Sequence, residues 1–147
     1  MALRLSWDEY FLEIARVAAG RSNCIRAQVG AVVVSKRKKI KSTGYNGTPH
    51  GVESCLERGT CYRIKNDIES GTRYETCRAI HAEQNAIIQA GEEQCVGSTL
   101  YIYGHRMVCI LCKRFILQAG IERVVLKYKP ETPMVEINPQ DWLRELE

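Results

Sequence analysis

Four residues in the middle of the chain have the types and the spacing needed for hydrolytic zinc chemistry. His81 and Glu83 are separated by one residue, and Cys109 and Cys112 follow, the first of them 28 positions after the histidine. A catalytic zinc takes three protein ligands and keeps a fourth position for water, whereas a structural zinc is closed by four protein ligands. One imidazole and two thiols make three ligands, and the carboxylate of Glu83 can then serve as a base. The pattern predicts a catalytic zinc site.

The donor set also indicates which reaction such a site would run. Two thiolates roughly cancel the zinc charge, so water is acidified less than at a zinc held by three histidines, where its pKa falls to about 7. A separate base is therefore needed, and Glu83 would take the proton of water and return protons to a ring nitrogen and a departing amine. The predicted reaction is hydrolytic deamination. In the alternative reading, His81 and Glu83 are a helix cap and a surface charge, and the two cysteines are buried thiols.

The candidate ligands stand where helices are expected to begin. Apolar periodicity predicts helices over 81–90 and 111–118, with a strand over 98–103 between them. Unpaired amides and the positive end of the helix dipole stabilise thiolates, the form in which cysteine binds a metal. Two helix starts facing one cleft would bring the imidazole, the carboxylate and the thiols together.

The other segments predict an α/β fold. Ser6 and Glu9 form a capping box that begins a first helix, which ends at Gly20. Alternating strands and helices in the second half indicate parallel crossovers and a sheet covered by helices on both faces. Further strands are predicted at 29–35, 40–44 and 121–127, a turn at 44–47, and a short terminal helix after 141.

Composition limits the class of protein and its partners. A chain of 147 residues with 45% hydrophobic and 26% charged residues suits one domain, over 1–147, and has no apolar run of the roughly 20 residues that a membrane span needs. No signal peptide is recognisable, which predicts a cytoplasmic protein. A net charge of +4 suits a phosphorylated small molecule, whereas a stable nucleic-acid complex would call for a more basic face.

The seven cysteines of an unsignalled chain indicate metal binding or reactive thiols rather than disulfides. Residues 48–77 lack sustained periodicity, and so long an irregular segment is usually functional or held by something. Four thiols could hold it as a closed structural zinc site, namely Cys24, Cys55, Cys61 and Cys77. The alternatives are four unrelated thiols, or His50 as a substitute ligand. Cys95 is left over as a packed or free thiol.

At these residues the sequence resembles the zinc-dependent cytidine deaminase superfamily, whose signature is His-x-Glu followed by Pro-Cys-x-x-Cys. Within it, the sequence is most similar to the deoxycytidylate deaminases. Val108 stands where the signature has proline, which removes a fixed φ but no ligand. The supporting segments are 26–34, 44–47, 81–88, 99–102 and 119–125, and together they extend over most of residues 7–127.

The resemblance implies a fold and a set of site residues. The fold would be the three-layer α/β/α cytidine deaminase-like fold with a central mixed sheet of about five strands, and the irregular segment would carry a second, structural zinc. Asn46 would hydrogen-bond the base or the sugar, although Asn-Gly is also a strong turn dipeptide. Arg26 would hold the phosphate, with a solvated surface charge as the alternative. His105 and Arg106 would close over the substrate, or else be a loop-packing histidine and a solvated arginine.

The resemblance further implies an enzyme that deaminates dCMP to dUMP and ammonia. It implies a homo-oligomer, a hexamer or a dimer, with dCTP and dTTP as effectors and a magnesium ion accompanying such a triphosphate. The alternative enzymes are a dCTP or dual dCMP/dCTP deaminase and a tRNA or polynucleotide deaminase. A non-catalytic alternative is a zinc-stabilised module for assembly or DNA uptake. Glu83 argues against the last of these, because a structural zinc needs no free carboxylate beside it.

Overall fold

A five-stranded mixed sheet forms the centre of the structure, a computed structural model that describes residues 3–147. The strand order is β2-β1-β3-β4-β5, and among these pairs only β3 and β4 run parallel. The predicted mixed sheet of about five strands is confirmed, whereas parallel pairing in the second half is limited to one crossover. The strands are β1 (Gly30–Val34), β2 (Ile40–Tyr45), β3 (Thr99–Tyr103), β4 (Arg123–Lys127) and β5 (Val135–Ile137).

Six α-helices and three 3₁₀ turns surround the sheet in the described part of the chain. The helix predicted after residue 141 is instead a pair of 3₁₀ turns that follow β5, and Asn138 caps the first of them ahead of Pro139. None of the described helices is long and apolar enough to cross a membrane. The helices are α1 (Trp7–Ala19), α2 (Cys55–Arg58), α3 (Tyr62–Lys65), α4 (Ala82–Ala90), α5 (Glu92–Cys95) and α6 (Ile110–Gln118), and the 3₁₀ turns are Tyr74–Thr76, Pro139–Trp142 and Arg144–Leu146.

The two faces of the sheet pack against different helices. Successive side chains of a strand point to opposite faces, and β1 is buried along its whole length. Val32 and Val34 pack in one apolar cluster with the buried side of α1. Ala31 and Val33 pack in the other, which includes buried side chains of α4 and α6. The predicted three-layer α/β/α arrangement is confirmed by this division of the core.

Gly44 allows α4 to approach β2 closely. A Cβ atom at Gly44 would lie 2.5 Å from the carbonyl oxygen of Ala82 and 2.6 Å from the amide nitrogen of Ala86, both in the backbone of α4. The turn predicted over 44–47 is wrong, because Gly44 and Tyr45 continue β2 and Gly47 forms a bridge with Ile80. Glycine is required at position 44 by the space available and not by a turn conformation.

An ion-pair network fastens α1 to the sheet. Nη1 and Nη2 of Arg123 donate to the two carboxylate oxygens of Asp8 at 2.9 and 2.7 Å, and the Tyr101 hydroxyl donates to Asp8 Oδ1 at 2.6 Å. Nε of Arg123 donates to Glu136 on β5 at 2.7 Å. The hydrogen bonds from Arg123, together with that from Tyr101, lower the pKa of Asp8 to about 2. The network thus connects the first helix with β3, β4 and β5.

Asp8→Asn is expected to lower the free energy of unfolding by about 1–2 kcal/mol near neutral pH, since bonds to a charged group are stronger than neutral ones. Because the pKa of Asp8 is lower in the folded chain, its contribution is full above the ordinary value of 3.8 and is lost as the pH falls toward about 2. The difference between wild type and variant should therefore shrink over that interval in urea unfolding. Glu136→Gln, at an exposed partner of the same arginine, should have a smaller effect, and a constant difference down to the lowest pH would contradict the assignment.

Candidate active site

The candidate ligands occupy the N-cap positions of two helices. His81 immediately precedes α4, and its backbone N–H donates to Oε1 of Gln84 at 2.9 Å. Cys109 immediately precedes α6, and its Sγ accepts the backbone N–H of Cys112 at 3.4 Å. The helices begin at residues 82 and 110, close to the predicted starts. Both candidate ligands thus stand at helix starts.

Three donor atoms converge between the two helices. Nδ1 of His81 lies 3.4 Å from Sγ of Cys109 and 3.3 Å from Sγ of Cys112. A tetrahedral zinc with ordinary bond lengths would separate such nitrogen and sulfur atoms by about 3.6 Å. Within residues 3–147 this is the one group in which at least three His, Cys, Asp or Glu donors lie within 4.8 Å of one another. The residues present therefore fit a zinc ion with three protein ligands.

The two thiols of the donor cluster have pKa values shifted in opposite directions. The hydrogen bond with Cys112, helped by the one with His81, lowers the pKa of Cys109 to about 4, so this sulfur is a thiolate at neutral pH. The same bond, together with burial, raises the pKa of Cys112, because a second thiolate would face the first. A divalent cation would remove that repulsion and allow both sulfurs to ionise. The negative charge of the Cys109 thiolate therefore favours binding of a cation.

Glu83 brings a carboxylate to the same place. It is the second residue of α4, and only 1% of its surface is exposed. Among residues 3–147 no hydrogen-bond partner is found for its Oε1. Leaving a buried polar atom unsatisfied costs about 1–3 kcal/mol, more when it is charged, so such an atom calls for an explanation. A carboxylate oxygen held free beside three metal donors is available to a reacting molecule.

A cavity of about 480 Å³ opens onto these groups. Its wall includes His81, Glu83 and Cys109, so two of the three donor residues and the carboxylate residue border the same cavity. A few hundred Å³ is the usual size of a small-molecule site. Residues from the first strand region, the cysteine-rich segment and the loop before α6 complete the wall, among them Arg26, Asn46, Thr48, Tyr74 and His105.

Asn46 lines the cavity, but its side chain is largely used within the protein. Its Oδ1 accepts the backbone N–H of Val29 at 2.9 Å, and its Nδ2 donates to the carbonyl of Ala27 at 2.9 Å. An amide side chain has two N–H donors and two acceptor lone pairs. One N–H donor and one oxygen lone pair therefore remain for a ligand. The hydrogen bonds to Val29 and Ala27 fix the segment before β1.

Of the residues predicted to hold the phosphate or close over the substrate, Arg26 and His105 line the cavity and Arg106 does not. Arg26 lines the cavity, and its Nη2 donates to the carbonyl of Ile68 at 3.2 Å, which leaves further guanidinium N–H groups free. His105 also lines the cavity. The structure does not bring Arg106 there, because its guanidinium stacks over the Tyr128 ring, 4.6 Å from the ring centroid. Arg106 is exposed on the surface.

Four other cysteines also line the cavity but do not form a ligand cluster. Cys24, Cys55, Cys61 and Cys77 all line it, but no three of them lie within 4.8 Å of one another. Cys24 Sγ accepts the backbone N–H of Arg26 at 3.4 Å, whereas Cys55 Sγ accepts from Nη2 of Arg78 at 3.6 Å. A shared metal would require the segment 48–77 to close further.

Two residues of the wall were missed by sequence reasoning. The Tyr74 ring packs edge-on against His81, with 5.5 Å between centroids. Arg63 is 3% exposed and donates to backbone oxygens of its own segment. Neither residue could be identified from the sequence. Both lie in the irregular segment 48–77, and Arg63 bonds mainly to backbone carbonyls, which every residue has.

The fold and the donor set together define a class of protein. An α/β/α domain that presents one imidazole and two thiols at two helix starts, beside a buried carboxylate, has the arrangement of the zinc-dependent nucleobase deaminases. Comparison with known proteins agrees with that class.

Residues 5–128 match the family described as the cytidine and deoxycytidylate deaminase zinc-binding region. A deoxycytidylate deaminase of Schizosaccharomyces pombe is 43% identical over 122 residues, which are 83% of this chain and 37% of that protein. One from Mycobacterium phage D29 is 44% identical over 127 residues, 83% of this chain and 94% of that protein. The crystal structure of a dCMP deaminase from cyanophage S-TIM5 has a TM-score of 0.63 and 26% identity, and the match covers 98% of this chain and 94% of that one. The chain belongs to the cytidine and deoxycytidylate deaminase zinc-binding family, and the resemblance predicted from its sequence is confirmed.

Proposed function

We propose that the protein is a zinc-dependent deaminase that converts dCMP and water to dUMP and ammonia. The observation that carries the proposal is the buried Oε1 of Glu83, which has no hydrogen-bond partner among the described residues, in a residue that lines the same cavity as His81 and Cys109. A zinc module with a purely structural role has no use for such a carboxylate. The names of the relatives from Schizosaccharomyces pombe and phage D29 support deoxycytidylate as the substrate.

In the proposed mechanism, Glu83 moves protons and the other residues hold the reactants. His81, Cys109 and Cys112 would hold the zinc, which when bound supplies the Lewis acidity that activates water. Glu83 takes a proton from the attacking water as its oxygen bonds to C4 of the pyrimidine, and delivers this proton to N3. It then carries the second proton of that water to the amine, and the C4–N bond breaks to release ammonia. Burial of Glu83 keeps bulk water from competing for these protons.

Recognition of the nucleotide is assigned to the part of the wall away from Glu83. Arg26 is half-buried and keeps guanidinium donors for phosphate oxygens, which a planar guanidinium binds in a bidentate manner. Asn46 has one donor and one lone pair left for the sugar or the base. His105 lines the same cavity and is placed to contact the substrate from the loop before α6. Arg106 has no part in this proposal.

A substrate panel tests the function. Purified protein loaded with zinc is incubated with dCMP, dCTP, deoxycytidine, cytidine and a single-stranded oligonucleotide, and ammonia release is measured. The highest kcat/KM is expected with dCMP. Highest activity on dCTP would move the assignment to a triphosphate enzyme, and highest activity on the oligonucleotide would make it a polynucleotide deaminase. No ammonia from any of them would favour the non-catalytic module.

Arg26→Ala is expected to lower kcat/KM for dCMP by about tenfold to a hundredfold, since a hydrogen bond to a charged group is worth about 1.5–3 kcal/mol. The loss for deoxycytidine, which has no phosphate, should be much smaller in the same variant. Arg21→Ala, at an exposed arginine five positions earlier, is the matched control and should change neither value. Equal losses for the two substrates would remove the phosphate role of Arg26.

We also propose a second, structural zinc held by Cys24, Cys55, Cys61 and Cys77. Its support is that all four thiols line one cavity and that the segment between β2 and α4 has only short helices of its own. Metal analysis is expected to return about two zinc ions per chain, one of each kind. Cys61→Ser should lower the count to one, whereas Cys95→Ala, at a buried thiol outside the cavity, should leave it unchanged. A wild-type count of one would contradict the second site.

Assembly and control follow from the family resemblance. We propose a homo-oligomer, a hexamer or a dimer, with dCTP and dTTP as effectors and magnesium accompanying them. Exposed apolar side chains on α4 and α6, Ile88, Ile110 and Phe115, provide apolar surface for contact between copies.

A further inference from the structure

Tyr74 touches the metal-donor cluster from the cavity side. Its ring centroid lies 5.5 Å from that of His81, at an interplanar angle of 62°. One aromatic side chain thus borders one of the three donors.

A metal-binding histidine must be held in one ring orientation. Such a histidine usually donates its second ring N–H to a carboxylate, a carbonyl or water, and this bond fixes the plane of the ring. Nδ1 of His81 faces the two sulfurs. Packing against the Tyr74 ring is a further contact that limits rotation of the imidazole.

Arg63 fixes the segment that carries Tyr74. Its Nη1 donates to the carbonyl of Arg73 at 2.7 Å and to Oγ1 of Thr76 at 3.2 Å, and its Nη2 donates to the carbonyl of Glu69 at 3.1 Å. Arg73 has a φ of 49°, a left-handed conformation that a residue with a side chain adopts only when it is held there.

The guanidinium of Arg63 also supports the ring directly. Its carbon lies 5.6 Å from the centroid of the Tyr74 ring. Arg63 is only 3% exposed, and its guanidinium donates to oxygens of Glu69, Arg73 and Thr76. An arginine is rarely buried in this way without a role, because its charge must be compensated by the bonds it makes. Its bonds go to the residues on either side of Tyr74.

We propose that Tyr74 is a positioning residue for the metal ligand His81, and that Arg63 holds Tyr74 in place. The proposal rests on the function proposed above for the site. The Tyr74 ring limits rotation of the His81 imidazole, so Nδ1 stays aimed at the two sulfurs before and after a metal binds. Arg63 acts one step further away, through the backbone that carries the ring.

The test measures zinc release to a chromogenic chelator from the zinc-loaded protein. Loss of a group that orients a ligand typically costs 10–100-fold in metal affinity or activity, so Tyr74→Leu is expected to release zinc at least about tenfold faster than wild type. Tyr74→Phe keeps the ring and is expected to stay within about threefold of wild type. Arg63→Met should resemble Tyr74→Leu. The double variant should release zinc no faster than the more affected single variant, because both act through one contact.

Two measurements separate this effect from general loosening. The same proteins loaded with cadmium-113 give NMR signals that distinguish an ion held by two sulfurs and a nitrogen from one held by four sulfurs, so the released ion can be assigned. Tyr62→Leu and Arg58→Met change an exposed tyrosine and an exposed arginine of the same segment and should leave the release rate at the wild-type value. If Tyr74→Leu does not fold, Arg63→Lys is used instead. This variant keeps the charge but loses the planar guanidinium, and it should still release zinc severalfold faster than wild type.

Wild-type release rates in Tyr74→Leu, or in Arg63→Lys where that variant is used, would overturn the proposal. Loss of zinc from the four-sulfur site alone would overturn it as well. These readouts need no substrate, so they are independent of the proposed reaction. A wild-type protein that holds zinc at His81 but releases no ammonia from dCMP would defeat the proposed function and leave the role of Tyr74 standing.

Discussion

Glu83→Gln is expected to lower kcat for dCMP by a factor on the order of 10³, because general acid–base catalysis contributes about 10²–10⁴-fold. Glutamine has nearly the same shape as glutamate but takes up no proton, so the path from water to N3 and to the amine is broken. The zinc content should not change, since His81, Cys109 and Cys112 are untouched. Turnover and metal content are measured on the same preparation.

The stability of this variant provides a second criterion. Oε1 of Glu83 is buried without a partner among the described residues, and an uncompensated charge in such a position destabilises the folded chain. Glu83→Gln is therefore expected to unfold at the same temperature as wild type or at a higher one. Glu93→Gln, at an exposed glutamate on α5, should change neither turnover nor stability. Retention of a tenth of wild-type turnover in Glu83→Gln would take this residue out of the proton path.

Gly44→Ala is expected to reduce both stability and turnover. Its new methyl group would lie 2.5 Å from the carbonyl oxygen of Ala82 and 2.6 Å from the amide nitrogen of Ala86, and neither backbone atom can yield alone. Overpacking typically costs about 1–3 kcal/mol. Helix α4 must move away from β2, and it carries Glu83 directly. A misplacement of about 1 Å can lower a rate by about 10²-fold.

A neighbouring glycine gives the matched control for this prediction. A Cβ atom at Gly47 would meet Oδ1 of Asn23 at 2.8 Å, which is the end of a side chain that can turn aside. Gly47→Ala should therefore cost clearly less stability than Gly44→Ala in urea unfolding. Equal stability and turnover of Gly44→Ala and wild type would show that α4 does not depend on this close approach.

Features set by residues near one another in sequence could be predicted. The capping box of Ser6 and Glu9 is present at the start of α1, because its two hydrogen bonds join residues three positions apart. The helix starts beside His81 and Cys109 were expected within one residue of where they occur. Local bonding and apolar periodicity are sufficient to place such elements.

Features set by contacts between residues far apart in sequence could not be predicted. The need for glycine at position 44 arises from Ala82 and Ala86, which come about 40 residues later in the chain, so the Gly-Tyr-Asn-Gly stretch was interpreted as a turn. Strand β5 was not predicted as a strand. Its three residues are too few to show a pattern by themselves, and they form a strand because they pair with β4. The position of Arg106 is determined by the ring of Tyr128, which no spacing rule connects to it.

The Asp8–Arg123 ion pair has a consequence for the order in which the chain assembles. It joins residues 115 positions apart, whereas His81 and Cys112 are 31 positions apart. The entropy cost of closing a loop grows with the logarithm of its length, so the longer closure costs about 1 kcal/mol more. The metal-donor cluster includes neither Asp8 nor Arg123, so it can form before these two residues meet. We therefore expect the contact between Asp8 and Arg123 to form late in the assembly of the chain.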